Sequence, residues 1–251
     1  MREFLGGIRA EILKMRHTFL YPLHICIPVL GAAVFLLYCR LTGRYGIGPL
    51  SAYAEVIGVA LPFMISIVCA GNICLEEETH FQVFPGGYTC RWKSLLAKIT
   101  VLAGLGFLAI VAAVLLFGTG LGMIAGEYVF SQMQYLKLAA VLFLGSVPLY
   151  LEHLFLNLKF SKTVSECVGV AQFLLSALFL TGLGDGKWQF FPCTWSARGA
   201  MLTLSGIGQK GSLVYTEGIM ETTGICLLLL VLICAIIGIW FYYYEGRQCN
   251  D

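Results

Sequence analysis

Six long apolar runs, separated by short polar stretches, fill nearly the whole chain. They fall at 18–39, 51–75, 95–118, 136–158, 166–183 and 222–244. A helix needs roughly 20 apolar residues to cross a bilayer, so each run predicts one membrane span. Ahead of the first run the period changes. Phe4, Leu5, Ile8, Ile12 and Met15 recur at helical spacing, while Arg2, Arg9 and Arg16 form a separate stripe. That pattern predicts an amphipathic helix over 1–17 lying in the membrane interface, apolar face down. The apolar run that follows is too long for a signal peptide and shows no small-x-small cleavage site. The last run ends in Trp240, Phe241, Tyr242, Tyr243 and Tyr244, residues that favour a membrane–water boundary. The expected fold is an all-α membrane protein, one transmembrane domain over 1–251 with six spans and an N-terminal interfacial helix.

Charge sets an expected orientation. With the N-terminus inside, the inner segments hold Arg2, Arg9, Lys14, Arg16, Arg91, Lys93, Lys98, Lys159, Lys162 and Arg247. The outer segments hold only Arg40, Arg44, Lys137, Lys187, Arg198 and Lys210, spread over longer loops. Both termini, 76–93 and 159–165 are therefore expected in the cytoplasm, and 119–135 and 184–219 outside. Composition agrees with membrane residence. Charged residues make up 12% of the chain, against about a quarter in soluble domains. Most of the ten cysteines fall in or beside apolar runs, where a thiol behaves as a small hydrophobe. No CxxC and no zinc-type Cys/His spacing occurs, so neither a disulfide framework nor a structural metal is expected.

Catalytic patterns are fragmentary. A phosphate-binding loop needs GxxxxGK followed by Ser or Thr. Gly186-Lys187 is followed by Trp188, and Ser212 stands where a second near-match needs lysine. ATP binding by this chain is not expected. Glu76-Glu77 and His153-xxx-Asn157 match two fragments of the intramembrane CAAX-type proteases, but the arginine of the first motif is replaced by Phe81 and Gln82. His24, Glu55, Glu152, His153 and Gln172 lie in apolar runs, where polar groups are costly and are candidates for function. His24 and Glu152 fall at the inner third of their spans, so a pair between them is one expectation; bland interhelical hydrogen bonding is the other. Pro28, Pro62 and Pro148 interrupt three spans.

Two loops stand out. Segment 76–93 opens with Glu76, Glu77 and Glu78, contains Phe81 and Phe84, and ends in Arg91-Trp92-Lys93. It reads either as a protein-docking loop or as a solvated hairpin anchored by Trp92. Segment 184–219 is glycine-rich and carries Trp188, Phe190, Phe191 and Trp195. Glycine permits mobility, and the aromatics suit either contact with an amphipathic substrate or a lid that packs on a partner or in lipid.

The stretch Glu11-Ile-Leu-Lys14-Met-Arg16-His-Thr18, then Leu23-His24 and Ile27-Pro28, resembles the lantibiotic-immunity ABC permeases of Gram-positive bacteria. Those open with Lys-x-(Lys/Arg)-x-Thr running into Leu-His-x-x-(Ile/Val)-Pro. Glu76-Glu77-Glu78 through Phe81-Gln82 resembles their loop after the second span. The resemblance implies a permease subunit of a type-2 ABC exporter in the cell membrane. Its expected partners are two copies of a separate ATPase, a second and different permease chain, the bilayer, and a cationic amphipathic peptide as cargo, with no nucleic acid. ATP and magnesium would sit on the ATPase, leaving no cofactor here. The resemblance makes Glu76, Glu77, Glu78, Phe81 and Phe84 the candidates for coupling to the ATPase, and Trp188 and Trp195 candidates for touching the peptide. Rival cargoes are a lipid, a drug or a polysaccharide.

Overall fold

The computed structural model describes residues 2–77, 91–208 and 213–244. Helices dominate and no strand occurs among these residues. In chain order they are α1 (Arg2–Met15), α2 (Leu20–Thr42), α3 (Ile47–Glu77), α4 (Arg91–Ala125), α5 (Gln132–Lys159), α6 (Lys162–Phe179), α7 (Trp195–Gly208) and α8 (Leu213–Tyr242). All but α1 and α7 are long and apolar enough to cross a membrane. Pro28, Pro62 and Pro148 lie inside α2, α3 and α5 without ending them.

Helix ends follow local chemistry. Gly43 at φ 66° closes α2, and Gly126 at φ 78° closes α4, a backbone region that glycine enters without a Cβ penalty. The Gln134 side chain reaches back to the Ser131 N–H at 2.8 Å, which seals the start of α5. Ser161 accepts from the Val164 N–H and caps α6.

The end of the bundle that carries α1 and the start of α2 is called proximal here, the other end distal. α3 is the central helix. Of its most apolar stretch 67% is buried, against 17% for α2, α6 and α8, which therefore form the periphery. Close packing rests on small residues, as it does between membrane helices generally. Gly169 of α6 meets Ser66 of α3, and Gly118 of α4 meets the Tyr135 ring of α5.

Three expectations need correction. α4 continues to Ala125 rather than stopping near 118, so the loop 119–135 shrinks to 126–131. Its Gly-rich second half kept apolar periodicity that a hydropathy cut-off undervalues. The loop 184–219 holds the end of one single-turn helix (Gly182–Gly184), two more (Trp188–Phe190 and Pro192–Thr194), all of α7 and the start of α8. The segment 76–93 narrows to 78–90, since α3 runs to Glu77 and α4 starts at Arg91; Trp92 lies in α4, packs edge-on to Phe241 at 6.0 Å and fills the notch left by Gly238. Glu78, Phe81 and Phe84 lie outside the described residues.

Candidate functional site

Two polar centres and one inserted segment organise the interior. The first centre joins α1, α3 and α4 at the proximal end. Lys98 is wholly buried, and its ammonium donates to Glu11 Oε2 at 2.8 Å, Asn72 Oδ1 at 2.6 Å and Glu76 Oε1 at 2.9 Å. Lys14 donates to Glu11 Oε1 at 2.9 Å and Glu76 Oε1 at 2.7 Å. Two ammoniums and two carboxylates thus share one small volume. Burial alone would cost several kcal/mol per ion, and mutual pairing at hydrogen-bond distance offsets it.

The balance is visible in Glu11 and Lys14. Burial pushes the Glu11 carboxyl up, but Lys98 and then Lys14 outweigh it and hold it below its usual range. Burial pulls the Lys14 ammonium down, but its hydrogen bond to Glu76 and the Glu11 charge leave it raised. Both groups stay ionised at neutral pH. α1 therefore turns Glu11 and Met15 inward, while Arg9, Arg16, Leu5, Ile12 and Leu13 are exposed. Met15 was expected among the outward apolar residues. The inward face wins because Lys98 and Glu76 need ionic partners more than Met15 needs lipid.

The second centre lies between α5 and α6. Glu152 Oε1 accepts from Gln172 Nε2 at 2.8 Å, and Gln172 Oε1 meets His153 Nε2 at 3.0 Å. His153 Nδ1 meets Ser165 Oγ at 3.0 Å, and Asn157 donates to the same hydroxyl at 2.8 Å. Glu152 and His153 therefore bond across helices, as the bland expectation held. His24 does not pair with Glu152; its Nδ1 bonds to the Leu20 carbonyl at 2.7 Å within α2. Equal depth on two helices does not bring side chains together when the helices are not neighbours.

The inserted segment is 180–208. Three short turns lead to α7, which packs on α3 and α5. A Cβ on Gly58 would lie 2.5 Å from Ala197 Cα, and one on Gly145 2.6 Å from Ser196 N. Gly145 stands about 20 Å along α5 from its distal end, at ~1.5 Å per residue. The segment thus returns to mid-bundle depth before α7 climbs back. Ser196 Oγ donates to the Leu142 carbonyl at 2.8 Å. Arg198 donates to the carbonyls of Phe179 and Thr181 at 2.6 and 2.7 Å, satisfying the end of α6, and pairs with Asp185 at 2.9 Å.

This changes the reading of the aromatics. Trp195 is buried, its indole N–H bonded to the Gln189 carbonyl, so it holds the segment together and presents no surface. Trp188 is half-buried, and its carbonyl accepts from Thr194. Phe190 and Phe191 are the exposed rings.

Of the coupling candidates, Glu76 enters the proximal centre, and Glu77 sits one residue on, half-buried, accepting from Cys74. Glu11, Lys14, Asn72 and Lys98 were not singled out from sequence. Lys98 did carry a signal: it lies inside the third apolar run, where a lysine needs a partner. No group of three or more metal-binding side chains occurs among the described residues. No protein-family model, curated protein or solved structure matches this chain.

Proposed function

We propose that the chain is the permease subunit of a type-2 ABC exporter that expels lantibiotic-type cationic amphipathic peptides. In this reading the proximal face is cytoplasmic, as the arginine and lysine bias favours. The observation that carries it is the buried charge centre that ties α1 to α3 and α4. A separate motor must push on the membrane domain from the cytoplasm. Glu76 and Glu77 end α3, and the segment 78–90 follows with Glu78, Phe81 and Phe84 as contacts for the ATPase. Force applied there reaches α1 and α4 through Lys98 without slack, because each buried charge is held by more than one bond.

Six apolar helices and the inserted distal segment suit a gated path through the bilayer. The peptide cargo rests on the resemblance at residues 11–28 and 76–82. Two copies of the ATPase, which would carry ATP and magnesium, and a second permease chain complete the assembly. A protease reading has less support. Glu76 is engaged by two ammoniums and His153 by Ser165 and Gln172, a structural use of both motif fragments.

The test is expression with and without a candidate partner ATPase. Expected are a co-purifying complex, ATP hydrolysis only when the ATPase is present, and protection against a lantibiotic that requires both. Reversing Glu77 and Glu78 to lysine should reduce protection while the chain still inserts; Glu76 is left unchanged because its carboxylate belongs to the buried centre. Protection by this chain in the absence of any ATPase would sink the proposal.

A further inference from the structure

A cleft of about 200 Å³ opens between α2 and α3. α2 lies along α4 and makes little contact with α3. The floor is Gly106, Ala109, Ile110 and Ala113 of α4, with Tyr150 of α5 lying over Gly106; Ala109 and Ala113 leave the gap open. Its length follows α2 from Leu23 to Phe35, a rise of about 18 Å at ~1.5 Å per residue. That exceeds half of a ~30 Å hydrocarbon layer. The walls are carbon almost throughout. Ile27 and Val56 line it and are 40% and 51% exposed, so the cleft opens sideways, toward lipid.

Size and shape select the occupant. At about 200 Å³ the cleft is smaller than the roughly 300–1,000 Å³ of pockets for drug-sized ligands, so its occupant must be slender and lie partly in the bilayer through the open side. An empty apolar slot forfeits dispersion contact along both walls, and a hydrocarbon chain from the surrounding bilayer has the width and chemistry to restore it. The proximal end of the cleft, at Leu23 and His24, lies one turn inside α2. Directly before α2, Arg16 and His17 are exposed, and Arg9 is exposed two turns earlier on α1. Glu11 is turned inward onto Lys98 and Lys14, and among the described residues no ion pair joins Arg9 or Arg16. Arginine binds phosphate in a fixed fork geometry.

We propose that the cleft holds one acyl chain of an anionic phospholipid of the proximal leaflet, with its phosphate at Arg9 and Arg16. The site does not depend on the transport reading and stands or falls separately from it. Tyr53 and Phe35, 5.0 Å apart edge to face, close its distal end. The lipid would brace α2 against α3, where the chain itself supplies little contact.

The full chain, purified in mild detergent, is titrated with phosphatidylglycerol and with phosphatidylcholine and read by native mass spectrometry. One phosphatidylglycerol should remain per chain, with at least tenfold preference over phosphatidylcholine. Arg9→Gln with Arg16→Gln should remove the preference. Ala109→Phe, which fills the floor, should remove retention, while Leu116→Phe on the exposed side of α4 should not. A second measurement needs no variant. Phosphatidylglycerol carrying a diazirine on its acyl chain is photocrosslinked to the natural chain and mapped. Crosslinks should fall on α2 between 23 and 35 and on α3 between 53 and 68. Labelling spread evenly over the exposed faces of α6 and α8 would overturn the proposal. So would displacement of the photolipid by a cationic amphipathic peptide but not by unlabelled phosphatidylglycerol.

Discussion

Replacing Lys98 by Met isolates the energetics of the proximal centre. Its ammonium meets three oxygens at 2.6 to 2.9 Å and is wholly buried. Methionine keeps the volume and removes the charge. Glu11 and Glu76, 4% and 1% exposed, then both lose their buried ammonium partner. Breaking a buried ion pair by removing one partner costs about 3–5 kcal/mol, whereas exposed pairs contribute about 0–1 kcal/mol. Lys14, 29% exposed, falls between, so Lys14→Met should cost clearly less. At about 2–4 °C per kcal/mol for chains of 150–250 residues, Lys98→Met should lower the melting midpoint by roughly 6–20 °C. The assay is heating in detergent, followed by the monodisperse fraction on size exclusion. Adding Glu11→Gln to Lys98→Met removes one stranded charge and should recover part of the loss, about 0.5–3 kcal/mol for coupled neighbours. Equal midpoints for Lys98→Met and Lys14→Met would refute the argument, since the centre would then behave as surface charge.

Other consequences follow from the same geometry. Glu11 is held below its ordinary value of 4.5, so its contribution is present above pH 4.5 and lost as pH falls through the lower folded value. Lys14 is held above 10.5, so its contribution is present below pH 10.5 and lost as pH rises through the higher folded value; melting midpoints should be flat between about pH 5.5 and 9.5 and fall beyond both ends. Gly145→Val puts carbon against the Ser196 backbone and should destabilise by at least about 1–3 kcal/mol, while Leu144→Val on the exposed face should leave the midpoint nearly unchanged. Arg198→Gln strips charged donors from two carbonyls and should cost about 1.5–3 kcal/mol per bond; Asp185→Asn should cost under about 1 kcal/mol, because Asp185 is 72% exposed and its pair is screened. A Cys at position 187 should be labelled by an impermeant thiol reagent on intact cells, and labelling only after permeabilisation would reverse the orientation.

The helical fold was legible in the chain because the bilayer leaves few choices. A run of some 20 apolar residues must satisfy its backbone internally, so six such runs specify six helices without any knowledge of neighbours. Helical spacing likewise marked out the stretch that forms α1, and residues such as Ser161 and Gly43 carry their helix ends locally. What hydropathy left open was everything that depends on which helices touch. His24 and Glu152 share a depth but not an interface. The loop 184–219 is polar and glycine-rich by composition, yet Gly58 and Gly145 admit its backbone into the bundle, and that notch exists only once α3 and α5 stand side by side. Lys98 counted as one more basic residue near a loop until α1 and α3 brought Glu11, Glu76 and Asn72 around it. Sequence alone determined which segments are long and apolar enough to cross a membrane, because transfer to hydrocarbon is a property of each segment; tertiary structure decided which polar groups meet, because pairing is a property of two.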